Sequence, residues 1–172
     1  SGEGDKLAVV AMTSGGLFCC LSLMKVEQLA GTVSQVMAPV AREVLMSDEA
    51  KLEVLREVMH AFNQHDLDSI MSHFVEDCVF ESPRGTDAWG HRFVGKEEVA
   101  RGLAARFEGI PDVHYGADEH FVCGNRGSSE WTISGTTVEG ESIEVRGCDL
   151  WAFDEDGKIV RKDSFWKIRE PT

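Results

Sequence analysis

CDLWAFDEDGKIVRKDSFWKI, residues 148–168, decides the fold. It reads as two β-strands joined by the tight turn Asp154-Glu155-Asp156-Gly157, since an Asp-Gly pair between alternating apolar residues is a hairpin signal. Alternation along the first strand places Val145, Gly147, Asp149, Trp151 and Phe153 on one face. That face is apolar apart from one carboxylate. Burying a carboxylate without a partner is costly. Asp149 is therefore either a surface residue or an acid enclosed for a purpose, and the choice sets the functional question.

Upstream of this hairpin the pattern remains β. Segments near 113–123, 127–137, 142–153 and 158–168 are separated by Gly-Asn, Glu-Gly and Asp-Gly turns that suit an antiparallel meander. Before them the period lengthens. Leu52, Leu55, Met59 and Phe62 recur at helical spacing, with Asp48 as the expected N-cap. A shorter helix carries Leu67, Ile70, Met71 and Phe74 on one stripe. Residues 78–82 read as a strand ended by Pro83-Arg84-Gly85, and a polar loop holding Trp89, His91 and Arg92 follows. A third helix spans about 96–108, with Val99, Leu103 and Phe107 on its stripe and Gly109 and Pro111 as its stop. The order predicts an α+β domain over residues 47–170. Three N-terminal helices cover one face of a curved antiparallel sheet, a β-meander, and enclose a pocket.

The first 46 residues differ in kind. Residues 7–24 form an apolar run interrupted by Gly, Ser and Thr. It lacks the cationic start and cleavage site of a signal peptide, and it is short and Gly/Ser-rich for a membrane span. Residues 1–46 are expected to be an accessory or disordered extension, or upstream sequence outside the mature protein, with Met46 a natural start. A secretory or anchoring role is the minority alternative.

Formal net charge is −13, and the basic residues are not clustered. The electrostatic footprint of a nucleic-acid binder is missing, and an acidic surface opposes anionic membranes, so neither partner is expected. The five cysteines, Cys19, Cys20, Cys78, Cys123 and Cys148, show no metal-ligand spacing and suit a reducing, cytoplasmic setting. Neither do the six histidines, and no phosphate-cradling loop or dinucleotide fingerprint is present. No metal or other cofactor is expected.

The element order and two motifs, HDLDSIMSHFVEDCVFESPRG at 65–85 and the closing CDLWAFDEDGKIVRKDSFW, resemble the nuclear-transport-factor-like superfamily. FVGKEEVARGL at 93–103 resembles the opening of that family's third helix. The superfamily is a cone-shaped α+β fold that includes SnoaL-type polyketide cyclases, ketosteroid isomerases and scytalone dehydratases. The resemblance covers about residues 48–168. It implies a pocket acid at Asp149 and commonly a homodimer. The other polar positions of ketosteroid isomerases fall on Val58, Phe74, Leu103 and Ser82. A valine donates no hydrogen bond, and a serine is no base near neutral pH without help, so steroid isomerase chemistry of that type is not implied. SnoaL-type cyclases, which rely mainly on the acid matched by Asp149, fit better.

Asp149 is thus the candidate catalytic residue, with burial expected to raise its pKa. The alternative is a structural acid bonded to a neighbouring strand. Ser82, Arg84, His91, Trp151, Ser164 and Trp166 are candidate substrate-binding residues. Ser82, Arg84 and His91 belong to the strand end and loop near the pocket opening. Trp151 and Trp166 would wall the cavity, and Ser164 shares a face with Trp166. Lys162 shares that face too and is expected to snorkel to the mouth. Trp131 either narrows the cavity or, facing outward with Ile133, helps build a dimer surface. These residues suggest a cofactor-independent isomerase, cyclase or dehydratase acting on a small apolar carbonyl compound. The alternative is a non-catalytic dimeric module of the same fold that binds a ligand or a protein.

Overall fold

A computed structural model describes residues 46–170; the extension expected over residues 1–46 lies outside the described residues apart from Met46. The first helix, α1 (Asp48–Gln64), follows its apolar stripe: Leu55, Val58, Met59 and Phe62 are all buried. Each such side chain contributes about 1.5–3 kcal/mol when removed from water. Its N-cap is Ser47 rather than Asp48, because the Ser47 hydroxyl accepts the Ala50 N–H at 3.2 Å. The Asp48 carboxylate instead accepts the N–H of Gly124, tying the helix start to a distant β-turn.

Helix α2 (Leu67–Ser72) is capped by Asp66, whose carboxylate accepts from both the backbone and the hydroxyl of Ser69. It stops two residues short of the expected stripe. Phe74 belongs to strand β1 (Phe74–Glu81), where it is buried against the sheet's own core. A short strand, β2 (Arg92–Val94), was not anticipated from the sequence; it pairs antiparallel with β1. Three residues are too few to show a period. Helix α3 (Lys96–Gly109) buries Val99 and Leu103. Strands β3 (His114–Cys123), β4 (Arg126–Thr136), β5 (Ser142–Phe153) and β6 (Ile159–Trp166) form the expected antiparallel meander.

The sheet order is β2-β1-β6-β5-β4-β3. The chain therefore returns to lay β6 beside β1, and this pair is parallel, so the sheet is mixed rather than wholly antiparallel. It is curved and unclosed. Helices α1 and α3 lie over β3 and β1 respectively, leaving the inner face of the central strands between them. No helix among the described residues is long and apolar enough to cross a membrane.

Candidate functional site

The inner face of the sheet and α3 enclose a cavity of about 410 Å³, within the range of small-molecule sites. Most of its wall is apolar, including Phe62, Phe80, Phe93, Leu103, Ile110, Trp131 and Ile143. Its polar groups come from β6 (Lys162, Ser164), from β3 (Tyr115), and from the mouth (Ser82, Arg84, Arg106, Thr137, Glu139).

Strand register builds the floor. Ser129, Asp149 and Ser164 stand abreast on β4, β5 and β6, while Lys162 pairs with Trp151 one step along. Asp149 is 1% exposed, and three donors meet it. Lys162 Nζ lies 2.5 Å from Oδ1, the Ser164 hydroxyl donates to Oδ1 at 2.5 Å, and the Trp131 indole N–H donates to Oδ2 at 2.9 Å. Lys162 Nζ also donates to Ser164 Oγ at 2.6 Å. The indole reaches Asp149 because its cross-strand partner is Gly147. A Cβ there would sit 2.4 Å from the Trp131 ring and from the Phe165 carbonyl.

Two expectations change here. Asp149 is not a solitary acid but the centre of a satisfied network. Lys162 does not snorkel: it is 5% exposed, with its ammonium near the rings of Phe62, Phe80 and Trp151. Burial lowers the Lys162 pKa from its ordinary value, and the Asp149 carboxylate partly offsets that shift. An ammonium has three N–H bonds, and two of Lys162's are used within the network. Lys162 and Ser164 face the cavity, whereas Asp149 stands behind them and does not line it.

The remaining predicted residues separate into two groups. Ser82, Arg84, Ser164 and Trp166 come together at the cavity. Trp151 does not wall it. It is 1% exposed and turned toward Ser129, whose hydroxyl accepts its indole N–H at 2.8 Å. His91 also stays out of the lining; its ring packs edge-on to Phe93 at 4.5 Å. The loop between β1 and β2 folds on itself through Ser82 N–H to His91 O and His91 N–H to Arg84 O. The Ser82 hydroxyl donates to the Arg84 carbonyl at 2.6 Å, which anchors the backbone of Arg84 at the mouth. Gly90, at φ 77°, closes this loop at a point where a Cβ would lie 1.9 Å from the Ser82 carbonyl.

Trp131 and Ile133 face inward, which resolves the alternatives for β4 in favour of the cavity. Tyr115 and Arg106 line the cavity with no sequence argument behind them. Tyr115, the chain's single tyrosine, packs edge-on to Trp131 at 5.3 Å. Its phenol makes no hydrogen bond to another described residue, and burial pushes its pKa well above the ordinary 10.0, so it stays protonated and available as a donor. The signal was there in the alternation of Val113 and Tyr115, both buried. Arg106, on the last turn of α3, lies with its guanidinium 4.3 Å from the centre of the Trp166 ring; Arg84 lies 5.1 Å from it. Burial raises the pKa of the thiols of Cys78 and Cys148, which keeps them protonated and poor nucleophiles.

Comparison with known proteins agrees with this architecture. The SnoaL-like domain family matches residues 55–162. A candidate polyketide cyclase from Xanthomonas campestris pv. campestris shares the fold at 17% identity and a TM-score of 0.62, covering 70% of this chain and 92% of that one. An NTF2-like protein of unknown function from Mesorhizobium loti does so at 26% identity and a TM-score of 0.59, covering 70% and 93%. TerC, co-crystallised with polyporic acid, is similar at 19% identity and a TM-score of 0.59, covering 68% and 91%. No curated protein matches the chain. With its helices, its six-stranded curved sheet and a match across most of its described length, the chain belongs to the SnoaL-like domain family.

Proposed function

We propose that the cavity binds a small, mostly apolar carbonyl compound and moves a proton on it, as in isomerisation, cyclisation or dehydration, without a cofactor. The observation that carries this reading is the buried Lys162–Asp149 pair, of which only Lys162 faces the cavity. The acid–base work expected of Asp149 alone then belongs to the pair. Burial lowers the pKa of Lys162, so that it presents a neutral amine to the cavity while Asp149 accepts its hydrogen bond. The amine takes a proton from the carbon next to the carbonyl, and the C–H electron pair moves onto the carbonyl oxygen as an enolate. The Tyr115 phenol, a lining residue that stays protonated, donates to that oxygen. The proton returns from Lys162 to another carbon of the enolate or to a leaving oxygen, restoring the pair. TerC, which shares the fold, was co-crystallised with polyporic acid, and that supports a small organic ligand here.

A second reading has its own support. Both oxygens of Asp149 already accept hydrogen bonds, as in a structural ion pair, and a ligand-binding module without turnover needs nothing more. In either case the protein is proposed to act as a homodimer, with Phe121 and Phe165 exposed on strands of the outer sheet face.

Deuterium exchange separates the two. β-Tetralone, an enolisable bicyclic ketone, is incubated with the protein in deuterium oxide and followed by proton NMR. The catalytic reading expects exchange next to the carbonyl above the buffer rate. Lys162→Met should abolish it, and Tyr115→Phe should weaken it by roughly tenfold or more. Exchange that survives Lys162→Met removes the mechanism. Saturable binding without exchange favours the binding module.

A further inference from the structure

The cavity mouth carries charge that the floor chemistry does not use. Arg56, Arg92, Arg101, Arg146 and Arg161 each meet a carboxylate. Arg84 and Arg106 meet none among the described residues, in a chain with 30 acidic side chains. Arg126 and Arg169 are also without one, but they lie away from this cavity. Arg84 and Arg106 instead rest on one aromatic platform, Trp166, which fixes both guanidiniums at the same opening. They arrive from unrelated elements, the β1–β2 loop and the last turn of α3, so one short segment's geometry does not explain the convergence. Arg106 lines the same cavity as Lys162 and Tyr115. Glu139 also borders the mouth but makes no ion pair with either arginine.

We propose that this mouth is a carboxylate subsite: Arg84 and Arg106, stacked on Trp166, hold the carboxylate of a mostly apolar organic acid whose body extends down to Lys162 and Ser164. A guanidinium offers paired N–H donors that match a carboxylate in geometry and charge, and stacking on an indole holds the donors in place before the ligand arrives. The apolar wall excludes a bare inorganic anion as the natural occupant and calls for a ring-bearing acid. This inference rests on the small-molecule reading of the cavity and narrows it from a neutral carbonyl compound to one that also carries an acid group.

The test compares two probes of one shape, β-naphthoate and β-naphthamide, by isothermal titration of the full chain. The acid should bind tighter than the amide by roughly tenfold or more. In Arg84→Gln/Arg106→Gln the two affinities should converge through loss of acid binding, the amide's being unchanged and thermal melting confirming the fold. Equal affinities in the unmodified protein overturn the subsite while leaving the cavity reading intact. A preference for the acid that survives in the double variant also overturns it and moves the anion to Lys162. If neither probe binds, the cavity reading fails and the subsite with it.

Discussion

The floor and the mouth of the cavity handle charge in opposite ways. On the floor, Asp149, Lys162, Ser164 and Trp131 satisfy one another, and no buried side-chain polar atom among the described residues lacks a partner. At the mouth, Arg84 and Arg106 have a platform but no counter-charge. A closed network contributes to the fold whether or not a ligand comes. An open pair of cations gains most of its interaction energy only when a ligand supplies the anion. The difference predicts which substitutions unfold the protein and which alter only what it binds.

The largest effect belongs to the floor. Asp149→Ala should destabilise the protein by about 3–5 kcal/mol in urea unfolding, since it strands a buried ammonium. Replacing both charges at once, as Asp149→Leu with Lys162→Met, should cost far less, within about 1 kcal/mol of the parent. If the single change costs as little as the double, the two charges are not coupled. The pH dependence follows from the lowered Lys162 pKa. Between that lowered value and 10.5, the unfolded chain holds a proton that the folded chain has released. Stability contributed at this site therefore rises with pH in that window. In Asp149→Ala the window should extend to lower pH, since the opposing pull of the carboxylate on the Lys162 pKa is gone.

Next in size is the support beneath the floor. Gly147→Ala forces a methyl against the Trp131 ring and the Phe165 carbonyl. The indole must shift, with a cost of about 1–3 kcal/mol, and the Trp131 hydrogen bond to Asp149 weakens with it. Thermal unfolding with tryptophan fluorescence reads both. An unchanged melting temperature and spectrum would show that the β5–β6 contact relaxes without disturbing the network.

Tyr115 gives a smaller, pH-limited effect. Its raised pKa keeps the folded phenol protonated above pH 10.0, where the unfolded phenol has ionised. The unfolded chain then binds fewer protons, and stability falls with rising pH by about 1.4 kcal/mol per pH unit. As the only tyrosine in the chain, it reports on itself: tyrosinate absorbance should appear together with loss of circular dichroism. Tyrosinate forming in the folded protein near pH 10 would mean the phenol is open to water.

Both regions were unequally legible in the sequence. The β5–β6 hairpin, the three helices and the parity of Asp149 follow from local period and turn chemistry, and these hold in the structure. Local pattern does not report who stands opposite. Lys162, Ser164 and Trp131 reach Asp149 through cross-strand register, which depends on pairing across as many as 18 residues of chain. Sequence alone misplaces Lys162, because lysine in isolation prefers water; the partner that holds it inside lies on another strand. The parallel β1–β6 pair is more distant still, joining the two ends of the domain. Arg106 carried no signal because a basic residue on the last turn of a helix is explained already by the helix dipole.

That reasoning makes the smallest predicted effect the sharpest contrast. Arg84→Gln and Arg106→Gln should each change stability by less than about 1 kcal/mol, since each loses only a cation–π contact at a partly exposed site. The measurement is the same urea titration used for Asp149→Ala, so the two regions are compared on one scale. A loss of several kcal/mol at either arginine would place it in the structural network and erase the distinction between floor and mouth. A loss near zero means that folding does not require these two charges. In an acidic chain, a nearby glutamate could have neutralised either arginine at little cost, and Glu139 already borders the opening without doing so. Folding alone gives no reason to hold both cations over one indole with their N–H donors open, whereas recognition of an anion does.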